Sequence, residues 1–182
     1  MQFIDSRRNP WRMLRGEDGP VVGIQPMPHL LLDLTQWHAY RAQWPDDMPV
    51  GVAVANDFDV EGLEADLPRL SLIALHFPKW VDGRAYSQAH LLRARFRFGG
   101  EIRATGEVLV DMLPLLKRTG FDAVVLRPDQ SPEAARRALG FFPGHYQGAL
   151  DDPQPLFAKP PGTAEALVRK AIPQFVSAGE GI

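Results

Sequence analysis

Cysteine is absent from the 182 residues, and that removes several chemistries at once. Thiolate-bound iron–sulfur clusters, CxxC redox motifs, disulfides and cysteine nucleophiles all need a sulfur this chain does not have. Long apolar runs are missing too, and nothing approaches the ~18–20 residues of a transmembrane helix. Asp5, Arg7, Arg8, Arg12, Arg15, Glu17 and Asp18 interrupt the stretch where a secretory signal would be apolar. The expected location is therefore the cytoplasm, with no membrane partner. Neither sign of charge is in excess, with 20 Lys and Arg against 22 Asp and Glu and a formal net charge of -2. No bulk field draws in nucleic acid and no basic aromatic platform awaits RNA, so nucleic acid is not an expected partner. A local basic pocket for a small anion is compatible with that balance.

The usual catalytic signatures are also missing. GxGxxG and the P-loop pattern do not occur, so a standard dinucleotide or triphosphate cradle is not expected, and the cofactor is left open. Ser87 lacks the GxSxG elbow of a nucleophilic serine. Histidines 29, 38, 76, 90 and 145 are scattered without HExxH or similar spacing, and no metal site is expected.

What is present has a clear rhythm. Short apolar runs at 29–34 (HLLLDL), 50–55 (VGVAVA), 70–77 (LSLIALHF), 102–105 and 121–126 (FDAVVL) alternate with stretches of helical spacing. Those stretches fall at 36–43, with Thr35 as cap, and at 60–67, 83–98 and 108–119. A fifth, at 131–139, has Ser131 as cap and Pro132 at the first helical position. Within 83–98, Ala85, Ala89, Leu92 and Phe96 form the stripe expected to face the sheet, and Tyr86 is a boundary residue. Strands alternating with helices predict an α/β fold of repeated βα units with a mainly parallel sheet, as a three-layer sandwich or an open half-barrel. A closed eight-fold barrel typically needs ~250 residues. The expected organisation is an N-terminal arm over 1–20, with Trp11 and Leu14 packing on the core, then an α/β domain over 21–148. A Pro/Gly-rich extension follows over 149–182, with a short helix at 163–172 and a loose end at 177–182.

Ligands of open parallel sheets collect outside the carboxyl ends of the strands, so residues at those ends are the candidates. Lys79, Asp82 and Arg84 follow the third run, Thr105, Gly106 and Glu107 the fourth, Arg127 the fifth, and Asp57 the second. Lys79, Arg84 and Arg127 would form a cationic cluster whose guanidinium forks suit a small oxyanion. Gly106 would let a ligand approach the backbone, Thr105 would add a hydroxyl, and Asp82 would cap the next helix. Glu107, with Asp111 one turn on, is the carboxylate pair placed for proton transfer. A purely structural reading stands beside each: Asp82 caps while Arg84 pairs with a surface carboxylate, and Glu107 and Asp111 complement the positive end of a helix. Arg103, in mid-strand, is expected to pair with a carboxylate.

Three segments carry a resemblance: HFPKWVDGRAYSQAHLLR (76–93), GEIRATGEVLVD (100–111) and RTGFDAVVL (118–126). Over about 70–148 the chain resembles an uncharacterised, mainly proteobacterial family whose genes neighbour those of sulfite reductase and phosphoadenylyl-sulfate reductase. The matching positions include Phe77, Pro78, Lys79, Asp82, Gly83, Arg84, Tyr86 and Arg93, and then Arg103, Gly106, Asp111, Gly120 and Asp122. Trp80, Ala85, His90, Glu107 and Met112 depart from the family pattern of Phe, Gly, Arg, Asp and Gln. The resemblance implies a role in assimilatory sulfate or sulfite reduction, and it supplies no catalytic residues. Three roles follow from it: an accessory that binds a small sulfur oxyanion, an oxidoreductase with a bound cofactor, or a non-enzymatic partner of sulfite reductase. The last would use an exposed apolar patch around Trp11, Trp37 or Trp44.

Overall fold

In the computed structural model, residues 1–4, 9–14, 23–142, 145–150, 152–163 and 165–167 are described. The chain order is β1 (Gln2–Phe3), β2 (Arg12–Met13), β3 (Leu30–Asp33), α1 (Leu34–Tyr40), β4 (Val50–Val54), β5 (Leu70–Phe77), α2 (Arg84–Ala94), β6 (Glu101–Gly106), α3 (Leu113–Arg118), β7 (Ala123–Val124) and α4 (Pro132–Ala138). Seven strands form one sheet in the spatial order β1-β7-β6-β5-β4-β3-β2, and every pairing is parallel. The sheet curls into a half-barrel flanked by helices, the second of the two expected arrangements.

Strand order explains where the core lies. From β3 to β7 each strand is laid beside the one before it, so right-handed crossovers put every connecting helix on the same face. Strand side chains alternate between faces. Val50, Val52 and Val54, Ile73, Leu75 and Phe77, and Ile102 and Ala104 therefore point to the helices and merge into one core with Trp37, Leu63, Ala89, Leu92, Leu113 and Leu116. Among the described residues the opposite, concave face holds a small second cluster of Leu31, Leu72 and Ala74, with Trp11 and Ala53 packed on it.

That face is partly covered by the N-terminal arm. β1 pairs with β7 at one edge and β2 with β3 at the other, so a single arm supplies both edge strands. Trp11 packs edge-on against His29 (5.1 Å between ring centres) and over Gly51, where a Cβ would come within 3.1 Å of its ring. Asn9 Oδ1 accepts from the Trp11 backbone N–H (3.2 Å) and from Arg103 Nη1 (3.0 Å). Arg103, 2% exposed, also donates from Nε to Glu101 Oε1 (2.7 Å). It is thus paired with a carboxylate, and a buried guanidinium requires such partners.

Several sequence expectations need correction. Asp33, rather than Thr35, caps α1 through a reciprocal pair with Gln36: the Gln36 N–H donates to Asp33 Oδ1 (2.8 Å), and the Asp33 N–H to Gln36 Oε1 (3.0 Å). The helix expected at 60–67 is two 3-10 turns, Val60–Leu63 and Leu67–Arg69, the second with Pro68 in its first turn. The helix expected at 83–98 stops at Ala94, because Arg97 takes a left-handed φ of 52° that returns Phe98 to the core, its N–H bonded to Leu92 O. The stretch 108–119 is a 3-10 turn, Val110–Met112, followed by α3, and β7 retains only two paired residues. Trp37 and Trp44 are 0% and 3% exposed and stack edge-on beneath α1, while Trp11 is half-buried, so the three form no exposed patch. The outward-facing tryptophan is Trp80, 57% exposed. Ser131 does cap α4, with Pro132 in the first turn. The helix expected at 163–172 lies partly outside the described residues, and the end at 177–182 lies wholly outside them.

The arm gives a direct test. Asn9→Ala removes one of the two hydrogen-bond partners of the buried Arg103 guanidinium and should cost about 1.5–3 kcal/mol in urea unfolding, the range for a hydrogen bond to a charged group. Deleting residues 1–14 should cost more, because both sheet edges are then bare. An unchanged urea midpoint for both variants would show that the arm does not hold the concave face.

Candidate functional site

Parallel pairing brings the carboxyl ends of all the strands to one rim, and the arm lies toward the opposite end of the concave face, over Gly51, Leu72 and Arg103. Between arm and rim lies a cavity of about 470 Å³. Met13, Leu31, Ala53, Val54, Ala55 and Ala74 supply its apolar surface, and Asp33, His76 and Thr105 its polar groups.

Each polar group has a local reason for its position. In β5, Ile73, Leu75 and Phe77 are fully buried toward the helices, which turns His76 to the concave face. His76 is exposed and makes no hydrogen bond among the described residues. Its imidazole lies against Gly106, which has a φ of +90°. A Cβ at Gly106 would sit 2.3 Å from Phe77 O and 2.7 Å from His76 Cε1, so glycine is required there by both backbone conformation and space. Thr105, paired in register with His76, donates its hydroxyl to Leu75 O at 3.3 Å. Asp33 ends β3 and is held by the α1 cap, which engages one carboxylate oxygen and leaves the other without a hydrogen bond among the described residues.

Of the residues proposed from sequence, Thr105 and Gly106 line this cavity and the charged ones do not. Arg127 donates from Nη1 to Glu107 Oε2 (2.9 Å), and from Nε and Nη2 to the two oxygens of Asp129 (2.6 Å each). Its charge is stabilised, and the Asp129 carboxyl is held below the usual aspartate range chiefly by that guanidinium. Arg84 forms a two-bond fork with Asp82, Nε to Oδ1 at 3.0 Å and Nη2 to Oδ2 at 2.8 Å. That fork is the main reason the Asp82 carboxyl lies well below its ordinary value, and it raises Arg84 in turn. Asp57 adds to the negative field around Arg84. Asp82 receives the Arg84 backbone N–H at 3.3 Å, although the residue in the cap position of α2 is Gly83. Lys79 is exposed and makes no ion pair among the described residues, and Asp111 is exposed in the 3-10 turn before α3. The rim thus groups Arg127 with Glu107 and Asp129, and Arg84 with Asp82, in two ion-pair clusters whose guanidinium charges are each matched by carboxylates. Asp33, His76 and the three alanines were not among the sequence candidates.

Tyr86 packs edge-on against Phe77 (5.2 Å) and Phe121 (6.4 Å), and burial pushes its hydroxyl up to about 12. It serves as the boundary residue expected of it. Among the described residues no group of three His, Asp or Glu could hold a metal ion, and no helix is long and apolar enough to cross a membrane.

Two measurements check this geometry. Gly106→Ala should destabilise the protein by about 1–3 kcal/mol through backbone strain alone and shift the His76 ring resonances; unchanged stability would contradict the packing. The Asp82 pKa is depressed in the folded state, so its contribution to stability is present above the ordinary 3.8 and fades as pH falls through the folded value. Arg84→Gln should move the carbon-13 titration of the Asp82 carboxyl up toward 3.8. A titration that stays where it was would show that Arg84 is not the cause.

Residues 51–157, more than half of the chain and covering β4 to α4, match the model of a family described as a bacterial protein of unknown function (DUF934). No curated protein matches the chain. A match of that extent, over the strands that form the cavity floor and both rim clusters, makes this chain a member of the DUF934 family.

Proposed function

We propose that this protein serves sulfite reduction in the cytoplasm as an accessory that binds a small ligand, held in the concave cavity at the carboxyl ends of β3 to β6. The observation that carries the binding half is the 470 Å³ cavity whose wall holds an exposed imidazole with no hydrogen bond among the described residues, a size within the usual ~300–1,000 Å³ of small-molecule sites. The sulfite-reduction half is supported by the resemblance of segments 76–93, 100–111 and 118–126 to the family encoded beside sulfite reductase. A small sulfur oxyanion, bare or carried on a larger ligand, would have to sit on the His76 and Thr105 side of the cavity, toward Lys79 at the rim and away from the Asp33 carboxylate. Arg84 and Arg127 would reach it only by giving up their carboxylates. Glu107 and Asp111, placed by sequence for proton transfer, would act from outside the cavity. The oxidoreductase role implied by the resemblance would seat its cofactor in this same cavity, since side chains alone do not carry that chemistry.

A second reading, a non-enzymatic partner of sulfite reductase, is favoured by one observation. Trp80 and Val81 stand 57% and 65% exposed in the loop between β5 and α2.

Calorimetric titration with sulfite, sulfate and adenylyl sulfate tests the first reading. At least one should bind, and His76→Ala should weaken it by about tenfold or more, as expected for loss of a direct polar contact. Absence of heat with all three, or indifference to His76→Ala, would overturn it.

A further inference from the structure

The register of the sheet limits what the cavity can hold. Asp33 pairs with Ala53, Ala53 with Ala74, and Ala74 with Arg103, so these four lie side by side across the concave face. One step closer to the rim, His76 lies beside Thr105. Parallel neighbours are ~4.8 Å apart, so the floor between Asp33 and His76 is two small residues wide: Ala53, half-buried and open to the cavity, and Ala74, 1% exposed and clustered with Leu31 and Leu72, while Met13 of β2 also lines the space. Arg103, at the far end of the row, is held down by Glu101 and Asn9 and does not line the cavity. The walls are therefore unlike each other. On the β3 side stands Asp33, with one carboxylate oxygen engaged by the α1 cap and one without a hydrogen bond among the described residues. On the β5 side stands the His76 ring, its orientation set by the backbone of Gly106.

A low methyl floor between an acceptor-only carboxylate and an imidazole suits a thin ligand with a donating edge. A bulky aliphatic body would rise past both polar groups, and a bare oxyanion would face the carboxylate. We infer that the cavity takes a flat heteroaromatic ring lying over Ala53, with an N–H-bearing edge turned to Asp33 and its other side beside His76. This inference rests on the concave cavity being the ligand site and adds the class of ligand.

Adenosine serves as the probe, because its ring carries an amino group. Purine riboside, the same ring without that group, is its control. Adenosine should bind the full chain more tightly than purine riboside by about tenfold, the scale of a hydrogen bond to a charged acceptor. Asp33→Asn keeps a good helix cap, so it should fold, and it should abolish most of that preference. Ala53→Leu, at a half-exposed position where the fold tolerates bulk, fills the floor and should remove adenosine binding, with circular dichroism reporting that the variant is folded. Equal binding of the two nucleosides, or adenosine binding that survives Ala53→Leu, overturns the inference. If adenosine fails to bind while sulfite or sulfate binds in a His76-dependent way, the ring is wrong and the cavity stands. If no probe binds, both proposals fall.

Discussion

The structure depends on one asymmetry of burial. A singly wound parallel sheet sends all its crossovers to one side, so one face receives helices and the other receives nothing from them. On the helical side the strands present valine, isoleucine, leucine and phenylalanine, and truncating a residue such as Phe77 there would cost about 3–5 kcal/mol. On the concave side the same strands present Gly51, Ala53 and Ala74, which bury little and leave room. The arm answers half of that problem: Trp11 fills the space above Gly51, and Asn9 gives the buried Arg103 an acceptor. The half nearest the strand ends stays open among the described residues. A cavity there follows from topology and residue size together.

Electrostatics at the rim follow a different logic. The arginines that sequence alone would assign to an anion are each spent on a nearby carboxylate, Arg84 on Asp82 two residues away and Arg127 on Asp129 and Glu107. Exposed pairs of this kind contribute little stability in water, but they do remove open guanidinium forks from the rim. Beside Lys79, the polar groups left to act are the sparse ones inside the cavity. His76 is there because β5 alternates faithfully, and Asp33 because the first turn of α1 needs a cap. Backbone requirements have thus placed the side chains with the greatest chemical freedom.

Much of the fold was legible from the chain, and the reasons are particular. Runs such as LSLIALHF and VGVAVA mark strands, and Ser131 followed by Pro132 marks a helix start. The stripe of Ala85, Ala89 and Leu92 does face the sheet. What escaped is which face of each strand would be left bare. VGVAVA reads as continuously apolar, yet its large residues all lie on one side and its small ones on the other. That alternation by size is the sign of a sheet covered on one face, and reading it would have pointed to Ala53, Ala74 and His76. The edge strands of the arm are two residues long and carry no periodicity to read. Thr105 and Gly106 could be found because a glycine at a strand end stands out, whereas Asp33 looked like the polar interruption of an apolar run. Charge pairing across the rim depends on where separate loops converge, and spacing along the chain does not encode that.

The central claim is that the upper concave face is open while the helical face is sealed. Alanine-methyl NMR in the presence of a soluble paramagnetic agent tests it most directly, because alanines line both faces. The Ala53 and Ala55 methyls should broaden strongly, while Ala85, Ala89 and Ala104, buried against the helices, should stay sharp. Equal protection of Ala53, Ala55 and Ala89 would contradict the account, since the concave face would then be covered.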